Sequence, residues 1–383
     1  MNVLKPFLQR VRQIFYIILY KIFCLFNRLN DDRVLFLSAS RASLTGNFKF
    51  VYDEIKKKNK YDINLMLKSS LKVRYTFSQS IRLMYLISTS KYIYLDDFYP
   101  IIYALKLRKG TNLIQLWHAM GAFKRVGYSR LDKDGGPAKN SLTHKNYTGA
   151  IVSSENIRKD YAEAFGISID KVHALGIPRT DIFFDKKYAD KVKNTYYKKY
   201  PVLKDKKVIL FAPTFRGAGQ KAAHYNFDWF DFKRFSDTFS DEYVCIIKLH
   251  PFIKNRPVYK IEKDSFYIDM TSEREINDIL FITDILITDY SSVAFDFSYL
   301  KKPVIYYQYS DDYNFDLSES YFDYKTMGFG EVIKKEDDLI KLIKDYLDND
   351  CKMKEVYKKR VDEFYKYNDQ NNSKRVYNWI YEN

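Results

Sequence analysis

From residue 30 onward the chain repeats one pattern, a short apolar run of strand length followed by a longer polar or helical stretch. Such alternation is the mark of βα units, whose strands lie parallel and are covered on both faces. Strands are expected near Val34–Ser38, Ile63–Leu67, Tyr92–Leu95, Leu113–Trp117, Ala150–Ser153 and Val172–Leu175, enough for one doubly wound sheet. The Lys- and Tyr-rich stretch Asp185–Lys206, with Pro201 inside it, reads as a helix and a linker. A second series follows at Lys207–Phe211, Tyr243–Leu249, Phe266–Ile268, Ile285–Thr288 and Val304–Tyr307, and Glu336 to Tyr381 has helical spacing. At 383 residues the chain exceeds the length at which single cores stop growing. We therefore expect an N-terminal domain over 31–195 and a C-terminal domain with a helical tail over 196–383.

Four strands run into polar residues of the kind chemistry uses. Ile285–Pro303, ILITDYSSVAFDFSYLKKP, passes from a strand through Thr288 and Asp289 to Ser291 and Ser292 and then a helix. A helix N-terminus with added hydroxyls suits a phosphate, and the same pattern is that of a capped helix. Asn112–Met120 delivers His118, Lys207–Arg216 leads to Thr214 and Arg216, and Val244–Pro251 carries Lys248 and His250. Two apart, Lys248 and His250 are expected on one strand face, with Pro251 holding His250 extended. In open parallel sheets ligands bind beyond the carboxyl ends of the strands, where all four segments would project.

The net charge of +16, from 64 basic and 48 acidic residues, implies an acidic partner such as nucleic acid, anionic lipid or a phosphorylated substrate. Cys24, Cys245 and Cys351 are too few and too scattered for a disulfide framework or a cysteine zinc site. With 13 glycines and neither a dinucleotide fingerprint nor a Walker loop, nicotinamide and ATP chemistry lose support. The amino-terminal segment, residues 1–30, has an apolar run from Ile14 to Tyr20 broken by Lys21, too short to span a bilayer. Arg10, Arg12, Lys21 and Arg28 flank its Phe, Ile, Leu and Tyr face, which suits an amphipathic helix lying on an anionic membrane surface; burial against the first domain is the alternative.

Two Rossmann-like domains facing a central cleft, with an N-terminal amphipathic helix, describe an α/β fold of the GT-B type. LWHAMGAFKRVG (Leu116–Gly127), GIPRTD (Gly176–Asp181), ILFAPTFR (Ile209–Arg216), KLHP (Lys248–Pro251) and ITDILITDYSSVAFDF (Ile282–Phe297) stand in the chain in that order. Together they resemble the CDP-glycerol glycerophosphotransferase family, which builds glycerol phosphate into teichoic acids and related cell-surface polymers. The form around His118 is more similar to the primase-type members, and the chain length agrees. The resemblance implies transfer of glycerol phosphate from CDP-glycerol to an undecaprenyl-diphosphate-linked glycan acceptor, with release of CMP, at the cytoplasmic face of the membrane as a peripheral protein. Ribitol in place of glycerol and a capsule-polymer acceptor stay open.

Phosphoryl transfer depends on positioning and charge neutralisation. His118 is assigned as general base toward the acceptor hydroxyl and His250 to the phosphate or leaving group. Ser291 and Ser292 would hold the pyrophosphate, Arg216 and Lys248 its oxygens, and Thr288 and Asp289 the phosphates or ribose. Asp289 equally suits a turn, and Lys124 suits either the acceptor pyrophosphate or a solvated loop. No tightly bound cofactor or metal is expected; a loosely held magnesium would have Asp289 as its one evident ligand. The rivals are a GT-B sugar transferase using CMP-sialic acid or another nucleotide sugar, and a non-catalytic basic protein. The motifs argue against a nucleic-acid partner.

Overall fold

In the computed structural model, residues 4–382 are described apart from 123, 132, 134–135, 218–221, 256–265, 274 and 310–319; side chains are not described at 4–7 and 9. Phe123 of the LWHAMGAFKRVG motif and residues 1–3 of the amino-terminal segment thus lie outside the described residues.

The chain forms two compact units, each around one parallel sheet. The first sheet comprises β1 (Asn30–Ser38), β2 (Asp62–Leu67), β3 (Ser90–Leu95), β4 (Asn112–Gln115), β5 (Gly149–Val152) and β6 (Val172–Ala174), in the order β2-β1-β3-β4-β5-β6. The second comprises β7 (Lys207–Phe211), β8 (Tyr243–Ile247), β9 (Tyr267–Asp269), β10 (Ile285–Thr288), β11 (Val304–Tyr307) and β12 (Gly330–Ile333), in the order β12-β11-β10-β7-β8-β9. Every expected strand is present. The unforeseen one, β12, is a short edge strand with little apolar content, so its sequence carries no strand-like run. A Cβ on Gly330 would lie 1.6 Å from the Val304 carbonyl oxygen, so this pairing with β11 requires glycine.

The expected domain boundaries need correction. The first unit holds residues 1–181 and 369–383, and the second holds 182–368. Helix Lys186–Lys199, which the expected boundary after residue 195 divides, packs wholly with the second unit, where Tyr188 donates to Asp278 at 2.7 Å and Lys199 pairs with Glu273 at 2.7 Å. Phe183 likewise packs on Phe281 and Tyr299.

The tail divides between the units. Helices Glu336–Asp348 and Glu355–Phe364 belong to the second, whereas Asn372–Tyr381 covers the first sheet, burying Val376 and Tyr377 among Val34, Phe36, Tyr92 and Tyr94. Trp379 lies over Gly149, where an added Cβ would come within 2.4 Å of the indole. Asp181, the last residue of GIPRTD, is buried and fixes the start of this helix by accepting from the backbone amides of Asn372 (2.8 Å) and Ser373 (2.9 Å) and from the Ser373 hydroxyl.

Residues Leu4–Phe26 form one helix. It buries Tyr16 and Tyr20, with the Tyr16 hydroxyl 3.2 Å from Ser80 Oγ on helix Phe77–Thr89, and Phe23 packs edge-on against Tyr85. Leu8, Val11, Ile14, Ile18, Ile22 and Leu25 remain exposed at helical spacing. Among the described residues, no helix is long and apolar enough to cross a membrane.

Candidate functional site

Both units collect chemistry-bearing side chains just beyond the carboxyl ends of their strands, where open parallel sheets bind ligands. In the first unit, β4 ends at Gln115 and His118 stands on the corner after it. That corner is built from Trp117 in the left-handed region, φ 52°, a conformation costing a bulky residue about 1–3 kcal/mol. Its neighbours hold it there. Gln115 Oε1 accepts from the Trp117 amide at 2.9 Å, and Asn47 Nδ2 donates to the carbonyls of Leu116 (3.1 Å) and Trp117 (2.8 Å). The buried Trp117 ring stacks on the His118 imidazole at 4.5 Å.

The His118 side chain is 43% exposed, so the ring has an open side. Its Nδ1 lies 3.6 Å from Asp97 Oδ1. The protein packed around the ring lowers its pKa below the ordinary 6.5 by desolvation; the Asp97 charge and the Asp96 carbonyl act upward, and Arg41 and Arg179 downward. Asp96, buried and paired with Arg41 Nε at 3.0 Å, has its carboxyl pushed up to about 6, mainly by burial. Sequence reasoning missed Asp96, Asp97 and Arg41. The signal was there: Asp96 and Asp97 follow β3 directly, and Arg41 follows β1. Lys124 is exposed.

In the second unit, Arg216 and Asp289 come together as an ion pair at 2.8 Å. Asp289 is 1% exposed, and its Oδ1 also accepts from the Thr214 amide (2.8 Å), the Thr214 hydroxyl (2.9 Å) and the Tyr290 amide (2.6 Å). This makes Asp289 a clamp between the ends of β7 and β10. A carboxylate enclosed by donors, a guanidinium among them, does not fit the coordination of a divalent cation. The Arg216 guanidinium lies over Tyr225 and Trp229, 5.4 and 5.1 Å from their centroids.

Thr288 is also turned inward, its hydroxyl donating to the Ala212 carbonyl at 2.7 Å. Lys248 and His250 follow β8, which ends at Ile247, and are not part of the strand. Lys248 is buried, its ammonium donates to the Thr271 carbonyl at 3.2 Å, and desolvation lowers its pKa. His250 Nδ1 accepts from the Phe252 amide at 3.1 Å, and its ring packs against both Phe215 and Phe252, which also touch each other. Ser291 Oγ accepts from the Val293 amide at 3.3 Å, whereas Ser292 is exposed and makes no side-chain cap bond to helix Val293–Ser298. Ser292 therefore holds the N-cap position without a side-chain cap bond, and the hydroxyl that accepts from the helix is that of Ser291 before it. Among the described residues, no group of His, Cys, Asp and Glu is placed to hold a metal ion.

Two parallel-sheet α/β units with polar strand ends define the GT-B-like class. The wall teichoic acid polymerase TagF shares this fold, with a TM-score of 0.71 at 20% identity over 100% of this chain and 98% of that one, and a variant of it has been solved after soaking with CDPG. Residues 18–382 match the family described as CDP-glycerol:poly(glycerophosphate) glycerophosphotransferase, and the chain belongs to that family. It is similar to the teichoic acid poly(ribitol-phosphate) polymerase of Bacillus spizizenii, 49% identical over 83% of this chain, and spans 51% of that polymerase. It is also similar to the teichoic acid ribitol-phosphate primase of the same organism, 34% identical over 98% of each chain.

Proposed function

We propose that this chain transfers a polyol phosphate from a CDP-activated polyol to a hydroxyl of an undecaprenyl-diphosphate-linked glycan, releasing CMP, as a step in teichoic acid synthesis. The observation that carries this reading is His118, held on a strained corner with an open ring side in a chain of this family. Its imidazole accepts the acceptor hydroxyl's proton as the hydroxyl attacks the β-phosphorus. In the second unit Ser292, Ser291, Arg216, Lys248 and His250 are the groups suited to the diphosphate; Asp289 and Thr288 act by fixing the strand ends that carry them. Lys124 is kept as a contact for the acceptor's pyrophosphate.

Glycerol is the polyol in the family's description, while ribitol is that of both relatives described above, which favours CDP-ribitol as a second reading. Correspondence with a primase over 98% of both chains supports addition of a first unit. The test supplies CDP-glycerol or CDP-ribitol with a lipid-linked GlcNAc-ManNAc acceptor, with and without one glycerol phosphate, and reads CMP release and product mass. A single added unit is expected. A mass ladder would make the chain a polymerase, and absence of CMP release from both donors would redirect the search to nucleotide sugars.

The proposal places the protein at the cytoplasmic face of the membrane, with helix Leu4–Phe26 lying on anionic lipid. Support comes from the apolar side chains this helix leaves in solvent and from Arg10, Arg12, Lys21 and Arg28 beside them. Ile14, Ile18 and Leu25 are 54%, 53% and 78% exposed, so changing all three to Asp leaves the packing of Tyr16 and Tyr20 intact. Co-sedimentation with phosphatidylglycerol vesicles is expected to weaken at least about a thousandfold, since three apolar side chains, each worth about 1.5–3 kcal/mol when buried, outweigh three steps of about 1.4 kcal/mol per tenfold. Turnover of a soluble acceptor should persist, and undiminished sedimentation would refute the anchor.

A further inference from the structure

We propose that Asp97 is the positioning residue for His118, and that Gln115 fastens the pair. The inference rests on His118 being the general base, and it adds a residue that the motifs around His118 do not contain. Three observations support it. First, Asp97 Oδ1 faces His118 Nδ1 at 3.6 Å, longer than a direct hydrogen bond but close enough for its charge to favour a proton on that nitrogen, the tautomer whose Nε2 lone pair is left for the acceptor hydroxyl. Second, Asp97 is itself held, since its Oδ1 accepts from the Phe98 amide at 2.7 Å and its carbonyl accepts from Gln115 Nε2 at 3.2 Å.

Third, one buried amide spans both partners. Gln115, fully buried at the end of β4, donates to the Asp97 carbonyl and, through Oε1, accepts from the amide of Trp117, whose ring is stacked on His118. Its Nε2 also donates to the Tyr147 hydroxyl at 2.8 Å, and that hydroxyl lies 2.7 Å from both Tyr103 Oη and His144 Nδ1. Burial lowers the His144 pKa to about 4, so this ring is neutral at neutral pH. The two ends of this buried amide thus tie the segment after β3 to the corner after β4. The carboxylate and the imidazole are thus set against each other before any ligand arrives.

The groups acting on His118 are Asp97 and the Asp96 carbonyl, which favour its protonated form, and Arg41 and Arg179, which oppose it. Removing the Asp97 charge therefore lowers the His118 pKa further. In the full-length protein, Asp97→Asn is expected to reduce kcat about a hundredfold, the lower end of what general-base catalysis supplies. The KM for the CDP-polyol should be unchanged, and the acid limb of the kcat/KM profile should move to lower pH. Asp97→Glu should recover part of the rate. Titration of the His118 ring by NMR, which needs no turnover, should show the same downward shift in Asp97→Asn.

An Asp97→Asn enzyme within twofold of the parent, with an unmoved acid limb, would overturn the proposal, as would an unmoved His118 titration. His118→Ala run alongside separates this failure from that of the underlying reading. If His118→Ala turns over normally, the base assignment falls and this inference with it. If it is inactive while Asp97→Asn is normal, only the role of Asp97 is lost.

Discussion

His118→Ala is expected to lower kcat by about a hundredfold to ten-thousandfold, the range that a positioned general base contributes, while binding of the CDP-polyol, followed by calorimetry, stays within twofold. The separation matters because the residues suited to the diphosphate all belong to the second unit and His118 to the first. A parallel loss of donor binding would assign His118 to the donor and not to the acceptor hydroxyl. The pH profile gives an independent check. The imidazole must be neutral to take a proton, so activity rises as pH increases through its pKa. Desolvation holds that pKa below the ordinary 6.5, placing the acid limb of kcat/KM below 6.5. In the alanine variant this limb should disappear from the residual rate. A limb above 6.5 in the parent would mean that another group controls the rate.

The second large effect is on stability. Asp289→Ala removes an acceptor of four hydrogen bonds at a site that is 1% exposed and takes from the Arg216 guanidinium, itself 14% exposed, its carboxylate at 2.8 Å. Breaking a buried pair by deleting one partner costs about 3–5 kcal/mol. At roughly 2–4 °C per kcal/mol for a unit of this size, Tm should fall by about 10 °C. Because Asp289 clamps Thr214 and Arg216 against the end of β10, activity should also be lost at temperatures where the variant is still folded. A Tm within 2 °C of the parent would show that the four bonds contribute no net stability. Arg216→Lys is predicted to be no rescue, since an ammonium cannot reproduce the planar fork lying over Tyr225 and Trp229.

Much of this arrangement is legible in the sequence. Apolar runs such as Val208–Phe211 and Ile285–Ile287 announce strands because buried parallel strands need apolar side chains on both faces. Polar residues placed directly after them mark the ligand-binding ends of the sheets. What the sequence cannot announce is which core receives an amphipathic helix. Lys186–Lys199 and Asn372–Tyr381 both have an apolar stripe at helical spacing; the first, which the expected boundary at 195 divides, belongs wholly to the second unit, and the second crosses back to the first. Spacing encodes a buried face but not its partner. The orientation of a polar side chain at a strand end is equally silent. Thr288 and Ser292 are close neighbours in one motif, yet one hydroxyl is spent inside the sheet and the other is exposed. Asp97 stands directly after β3, a position the strand pattern marks, but that it faces His118 depends on β3 and β4 being neighbours, which only strand order reveals.

The discontinuity of the first unit has a consequence for how the protein comes into being. A ribosome delivers β1 to β6 early, but the helix that covers Val34, Phe36 and Tyr94 is made only after all of residues 182–368. The unit that starts first is therefore finished last, and until then the part of its sheet that this helix covers is bare. No single cut separates the two units either, because a fragment ending at residue 368 lacks the partner of Asp181, and one beginning at residue 182 carries an orphan helix.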